Sequence, residues 1–223
     1  MDRIAFNRNS PKTFILAANG WSNTAGENDQ VWSLIFNQSD PHPFHLYTTY
    51  GLKARAVQVY PDILSENQSL NTSENFKQPL TVTHYSSSVL QITYQYHNGL
   101  AVEFDVLTPE PSALLGRISL QNQNEVSLVF KLALIFQFLP LGKGRRSHNE
   151  RVGDHHILTG QSADLCPVLY MTGGPTAVNL PFPALSLPFE IPSDKSQIVT
   201  WALAAKNTPE KSFNRAKKLL RWS

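Results

Sequence analysis

Twelve apolar and β-branched runs follow one another along this 223-residue chain, and no stretch of helical periodicity interrupts them before Pro209. They lie at 13–18, 31–37, 54–60, 80–84, 89–97, 100–108, 113–121, 127–138, 155–159, 168–171, 177–180 and 197–205. Within most of them apolar side chains recur at every second residue, the spacing that lets a strand bury one face. Between them stand Asn19-Gly20, Asp40-Pro41, Tyr60-Pro61-Asp62, Pro109-Glu110-Pro111 and Gly173-Gly174-Pro175, which set turn geometry instead of continuing a ladder. Connections this short join antiparallel neighbours, because a parallel crossover needs about a dozen residues. The pattern predicts an all-β fold: a large two-sheet antiparallel sandwich with one C-terminal helix.

Local signals sharpen the pattern. Asn98-Gly99 tolerates the positive φ of a type I′ turn and is flanked by strand-like arms, so a two-residue hairpin is expected there. On its second arm Val102, Phe104 and Val106 share one face, and Glu103 and Asp105 the other. The run from Leu128 to Leu139 is apolar almost throughout, so Phe130, Leu132, Leu134 and Phe136 are expected to line a core between two layers. Residues 62–78 and 141–154 are polar and read as surface excursions. Within the second, Gly142-Lys-Gly-Arg-Arg146 lacks the spacing of a P-loop and reads as a solvated turn.

Composition limits the function classes. A hydrophobic content of 41% with 16% charged residues places the chain among globular proteins, long enough for one domain with a real core. The net charge of +2 is too small a basic field for nucleic acid to be the partner. The single Cys166, between Leu165 and Pro167, excludes an internal disulfide and reads as a buried thiol. The start has only the short apolar run from Phe14 to Ala18, too short for a signal-peptide core or a membrane span, which makes a cytoplasmic location the expectation. Asn37, Asn67 and Asn71 match the glycosylation sequon, read as chance matches in an Asn- and Ser-rich chain.

Few constellations offer chemistry. Glu103 and Asp105 project from one strand face at roughly 7 Å, a separation compatible with glycoside hydrolysis. Their alternation with an apolar face points them to solvent, however, where nothing raises a carboxyl pKa. His155 and His156 are adjacent strand residues that face opposite ways, and His42 and His45 lack a third ligand, so no metal site or cofactor is expected. The aromatic and polar set Trp21, Trp32, His45, Tyr50 and Arg55 is the best candidate for sugar contact, with rings to stack on sugar faces and polar groups at their rims.

At the end of the chain a strand, 197–205, runs into a helix expected over 208–221. Thr208 is its cap, Pro209 its first residue, and Glu210 sits at the positive end of its dipole. Phe213, Ala216, Leu219 and Leu220 form one apolar stripe that needs a surface to cover. Three segments then carry a family resemblance: Gly99-Leu-Ala-Val-Glu-Phe-Asp-Val-Leu-Thr-Pro109, Leu115-Gly-Arg-Ile-Ser-Leu-Gln-Asn-Gln-Asn124 and Ile198-Val-Thr-Trp-Ala-Leu-Ala-Ala-Lys-Asn-Thr-Pro-Glu-Lys-Ser-Phe213. Together they resemble the N-terminal β-sandwich of glycoside hydrolases whose catalytic domain is an (α/α)6 barrel, the glucoamylase-like and glycogen-debranching-like enzymes. The resemblance implies a supersandwich of the galactose-mutarotase-like kind over 1–207, and a helix at 208–223 that begins a linker to a catalytic domain of the same polypeptide. It implies a noncatalytic accessory role in carbohydrate metabolism, with Phe213, Leu219, Leu220 and Trp222 facing the barrel. An independent carbohydrate-binding module and a stand-alone enzyme using Glu103 and Asp105 are the alternatives.

Overall fold

A computed structural model describes residues 4–5, 13–17, 31–36, 44–66 and 68–221, with the backbone alone described at positions 4, 5, 73 and 79. The strands form two sheets, and every pairing between described strands is antiparallel. The first sheet runs β1 (Ile4–Ala5), β7 (Phe76–Tyr85), β8 (Val89–Tyr96), β9 (Leu100–Glu110), β10 (Ala113–Asn122), β17 (Ser196–Lys206), β14 (Cys166–Met171), β13 (His155–Ser162) and β12 (Gly144–Val152). The second runs β15 (Thr176–Asn179), β16 (Pro183–Ile191), β11 (Leu128–Pro140), β5 (Ala54–Ser65), β4 (Phe44–Thr48), β3 (Trp32–Phe36) and β2 (Thr13–Leu16), with β6 (Gln68–Ser69) paired to β5. The chain is thus the expected two-sheet sandwich with a C-terminal helix.

One core fills the space between the sheets. From β11 it takes Phe130, Leu132, Leu134 and Phe136, the four residues expected there, and from the facing sheet Phe104, Ile118, Leu120 and Trp201. The Trp201 ring stacks on Phe104 at 5.9 Å and lies where a Cβ on Gly116 would stand, 2.1 Å from the indole, so only glycine fits at 116.

Four local readings are corrected. The hairpin between β8 and β9 exists, but its turn is not type I′. Gly99 N–H bonds the carbonyl of Tyr96 at 3.1 Å, and of the turn residues only Gly99, at φ 83°, is left-handed. That is a three-residue loop, a turn followed by a left-handed glycine. The surface excursion expected at 141–154, with its solvated turn at 142–146, is largely β12, the edge of the first sheet, where exposure on both faces erases the alternation a buried strand would show. Likewise β5 continues through Pro61 to Ser65, so the excursion at 62–78 shrinks to about 66–75. Pro61 is tolerated because pairing with β4 is recorded only up to Val59 and pairing with β6 begins at Leu64, leaving a gap in which a missing N–H breaks no ladder bond. Besides the two-residue β1 and β6, two longer strands, β4 and β16, escaped the sequence reading: aromatic and polar residues mask the alternation in β4, and Pro183 and Pro188 mark β16 as broken.

The helix α1 (Pro209–Leu219) starts as expected, with Thr208 Oγ1 accepting from Lys211 N–H at 3.3 Å. It lies on the outer face of the first sheet: Ala216 and Leu219 pack on Ala113, Ala202 and Ala204, and Phe213 on Ile157 and Val168. Small side chains on β10 and β17 let the helix approach closely. No helix among the described residues is long and apolar enough to cross a membrane.

Candidate functional site

Of the residues expected to contact sugar, the two described rings are buried. Trp32 and Tyr50 are 1% and 0% exposed, packed edge to face at 5.5 Å inside the core. As placed, neither can stack on a sugar ring, and alternation explains Trp32, which alternates with half-exposed Ser33. Tyr50 is carried inward by a turn in which Tyr50, Gly51 and Leu52 are all left-handed, a conformation that single-residue propensities do not reveal. His45 is nearly buried on β4, while Arg55 is exposed and its carbonyl accepts a hydrogen bond from Tyr47 Oη at 3.3 Å. Trp21 lies outside the described residues.

Glu103 and Asp105 share the outer face of the first sheet, as the alternation requires, and Arg117 of β10 stands opposite both. Its Nε donates to Asp105 Oδ2 at 2.8 Å and its Nη2 to Glu103 Oε1 at 3.1 Å. A guanidinium spanning the two carboxylates occupies the space a glycosidic oxygen would need. His155 and His156 diverge as expected: the first packs edge to face on Tyr170 with Lys217 Nζ 3.2 Å from its Nε2, the second approaches Asn149 on β12.

What the fold does assemble is a polar cluster around Asp62, at the gap in the second sheet. Asp62 is 3% exposed, and Ser69 Oγ donates to its Oδ1 at 2.7 Å. Asn71 fills the gap: its Nδ2 donates to the Pro61 carbonyl at 2.8 Å, its backbone N–H to Ser69 Oγ at 3.1 Å, and its Oδ1 accepts from Tyr96 Oη. Tyr96 reaches Asn71 from the opposite sheet, and Phe76 stacks on it at 5.0 Å. The cluster therefore ties both sheets to the segment between β5 and β7. Beside it on β5, Tyr60 Oη accepts from Gln137 Nε2 at 3.0 Å.

Burial raises the Asp62 pKa to about 6, against the opposing pull of the Ser69 and Ile63 hydrogen bonds, and no ion pair of Asp62 with a described residue offsets that burial. The carboxyl thus exchanges its proton near neutrality, the property a general acid or base needs, yet as placed it is closed to a polymeric substrate. Sequence reasoning passed over it because Pro61 and the polar residues that follow look like a turn. The usable signal was the apolar flank on either side, Val57, Val59 and Tyr60 before it and Ile63 and Leu64 after.

The helix is fastened to its own sheet by polar as well as apolar contacts. Arg215 makes a two-pronged bond to Glu110, 3.1 Å to Oε1 and 2.7 Å to Oε2, and Lys206 Nζ lies 3.4 Å from Oε1. Ser212 Oγ donates to the Cys166 carbonyl and accepts from Lys206 N–H. Burial pushes the Glu110 carboxyl up, but Arg215 and Lys206 outweigh it and hold the group below the usual range. Glu110→Gln is expected to cost about 1–3 kcal/mol, and wild-type stability should fall as the pH drops through the lowered Glu110 pKa, a fall that the variant lacks. Thermal melts of both proteins from pH 3 to 7 check this, and parallel profiles would refute it. Of the residues expected to face a barrel, Phe213 and Leu219 are buried in this domain's own packing, Leu220 is half-buried, and Trp222 lies outside the described residues. Phe213 and Leu219 therefore leave little surface for a neighbour.

A two-sheet sandwich with a helix on one outer face is an architecture shared with carbohydrate-active enzymes. Among solved structures, a bacterial glucoamylase complexed with acarbose superposes with a TM-score of 0.57 at 9% identity, over 95% of this chain and 38% of that one. A protein assigned as a kojibiose phosphorylase from the human microbiome gives 0.53 at 14% identity, over 94% of this chain and 28% of that one. A protein assigned as an aldose 1-epimerase from Escherichia coli K12 gives 0.54 at 9% identity, over 89% of this chain and all of that one. The chain thus spans about a third of the two larger proteins and the full length of the epimerase. No family model and no curated protein matches the sequence. At these identities the likeness is one of fold.

Proposed function

We propose that the chain is a noncatalytic accessory β-sandwich of a larger carbohydrate-active enzyme, supporting an (α/α)6 catalytic barrel in the same polypeptide. The observation that carries this reading is the coverage. Nearly all of this chain corresponds to a minor part of the glucoamylase and of the phosphorylase. The chemistry agrees with it: the paired carboxylates Glu103 and Asp105 are bridged by Arg117. An accessory domain of this kind gives its barrel a rigid neighbour, and the clamped helix would transmit the position of one to the other.

A second reading is favoured by one observation. The epimerase is matched over its full length, and burial raises the Asp62 pKa to about 6, so a stand-alone enzyme acting on the anomeric centre of a small aldose is the alternative. The isolated chain should cleave neither oligosaccharides nor aryl glycosides, and should not accelerate the mutarotation of freshly dissolved α-aldoses followed by polarimetry. Hydrolysis lost in Glu103→Gln or Asp105→Asn would overturn the accessory reading in favour of a glycosidase, and mutarotation lost in Asp62→Asn in favour of an epimerase.

A further inference from the structure

The segment from Gln68 to Asn75, between β5 and β7, leads from one sheet to the other. It is held by the short pairing of β6 with β5, by Leu70 N–H to the Ile63 carbonyl at 2.8 Å, by the Ser69 and Asn71 side chains to Asp62, Pro61 and Tyr96, and by the Asn75 carbonyl accepting from His97 N–H at 2.8 Å. A short 3-10 turn, Ser73–Asn75, ends it, with Thr72 Oγ1 accepting from Asn75 Nδ2 at 2.8 Å. The segment buries little apolar surface, so its opening should cost far less than unfolding the core.

We propose that this segment is a proton-controlled strap, closed over Asp62 when the carboxyl is neutral and released when it ionises. The geometry carries the proposal: Asp62, 3% exposed, lies beneath the strap with no cation paired to it among the described residues, and the cost of burying its charge outweighs the one strap bond, from Ser69 Oγ, that favours the ionised form. Opening lets water reach the carboxyl, so the open form favours the ionised state. Tyr94 and Tyr96 from β8 face the carboxyl, and burial keeps both neutral. No ion pair with a described residue holds Asp62 ionised in the closed form. The raised Asp62 pKa sets the window, roughly pH 4 to 6, across which release occurs.

Native-state amide hydrogen exchange tests the proposal, with rates corrected for the intrinsic pH dependence of exchange. Between pH 4 and pH 7 the protection of Leu70 and Asn71 should fall about fiftyfold, the ratio expected if the closed and open strap bind the Asp62 proton with pKa values about two units apart. Thr172 N–H, bonded to the Thr200 carbonyl at 2.9 Å on the far side of the first sheet, should exchange more slowly at every pH. In Asp62→Asn the strap protection should not vary with pH. Strap amides that exchange at the Thr172 rate would mean that opening is global and would overturn the proposal, and so would a pH-independent protection in the wild type. The wild-type series stands even if the variant fails to fold.

Discussion

Phe136→Ala should lower stability by about 3–5 kcal/mol. Phe136 is fully buried at the middle of β11, which pairs β5 on one side and β16 on the other, and its ring stacks on Phe138 at 6.4 Å. A strand central to its sheet cannot move inward to refill the space without breaking two ladders. The deletion therefore leaves a cavity as well as lost contacts. Urea unfolding of both proteins measures the loss, and a midpoint unchanged within error would contradict the core assignment.

Asp62→Asn should do the reverse and stabilise the fold at pH 7 by about 1–3 kcal/mol. The folded chain binds the Asp62 proton more tightly than the unfolded chain, with its pKa raised from 3.8 to about 6. The stability that belongs to the neutral carboxyl is thus complete below about pH 4 and is lost as the pH rises through 6, to the extent of about 3 kcal/mol at 1.36 kcal/mol per unit. An amide cannot ionise and escapes that loss. It also gives up an acceptor oxygen, which costs about 1 kcal/mol in return. Chemical unfolding at pH 4.5 and pH 7 separates the two terms: the variant should gain at the higher pH only. A variant less stable than wild type at pH 7 would mean that the carboxylate is structurally needed as an anion.

Elements with one buried face could be read from the residues: β9, β10, β11 and β17 stand where alternation or an apolar run placed them, and Thr208, Pro209 and Glu210 marked the helix start. The parts that escaped share a physical cause. β12 has no buried face, β16 contains prolines, and β5 crosses Pro61 where its neighbour strand has left, so propensity and pattern both pointed away from a strand. The site was less legible still. Trp32 and Tyr50 look like sugar platforms by residue type, but burial is decided by the opposing sheet and by a left-handed turn. Arg117 sits opposite Glu103 and Asp105 through the β9–β10 register, a pairing that the carboxylates' own spacing does not contain. Asp62 acquires its character from Ser69, Asn71 and Tyr96, contributed by two segments that only the closed sandwich brings together.

The central claim is that this sandwich serves as one part of a larger carbohydrate-active polypeptide. It is tested most directly by the size of the native protein, measured by immunoblotting an extract of the source cells with an antibody raised against this chain. The account predicts a band several hundred residues heavier than the chain, whose immunoprecipitate acts on an oligosaccharide while the isolated chain does not. A native band at the mass of 223 residues, with no heavier species, would contradict it.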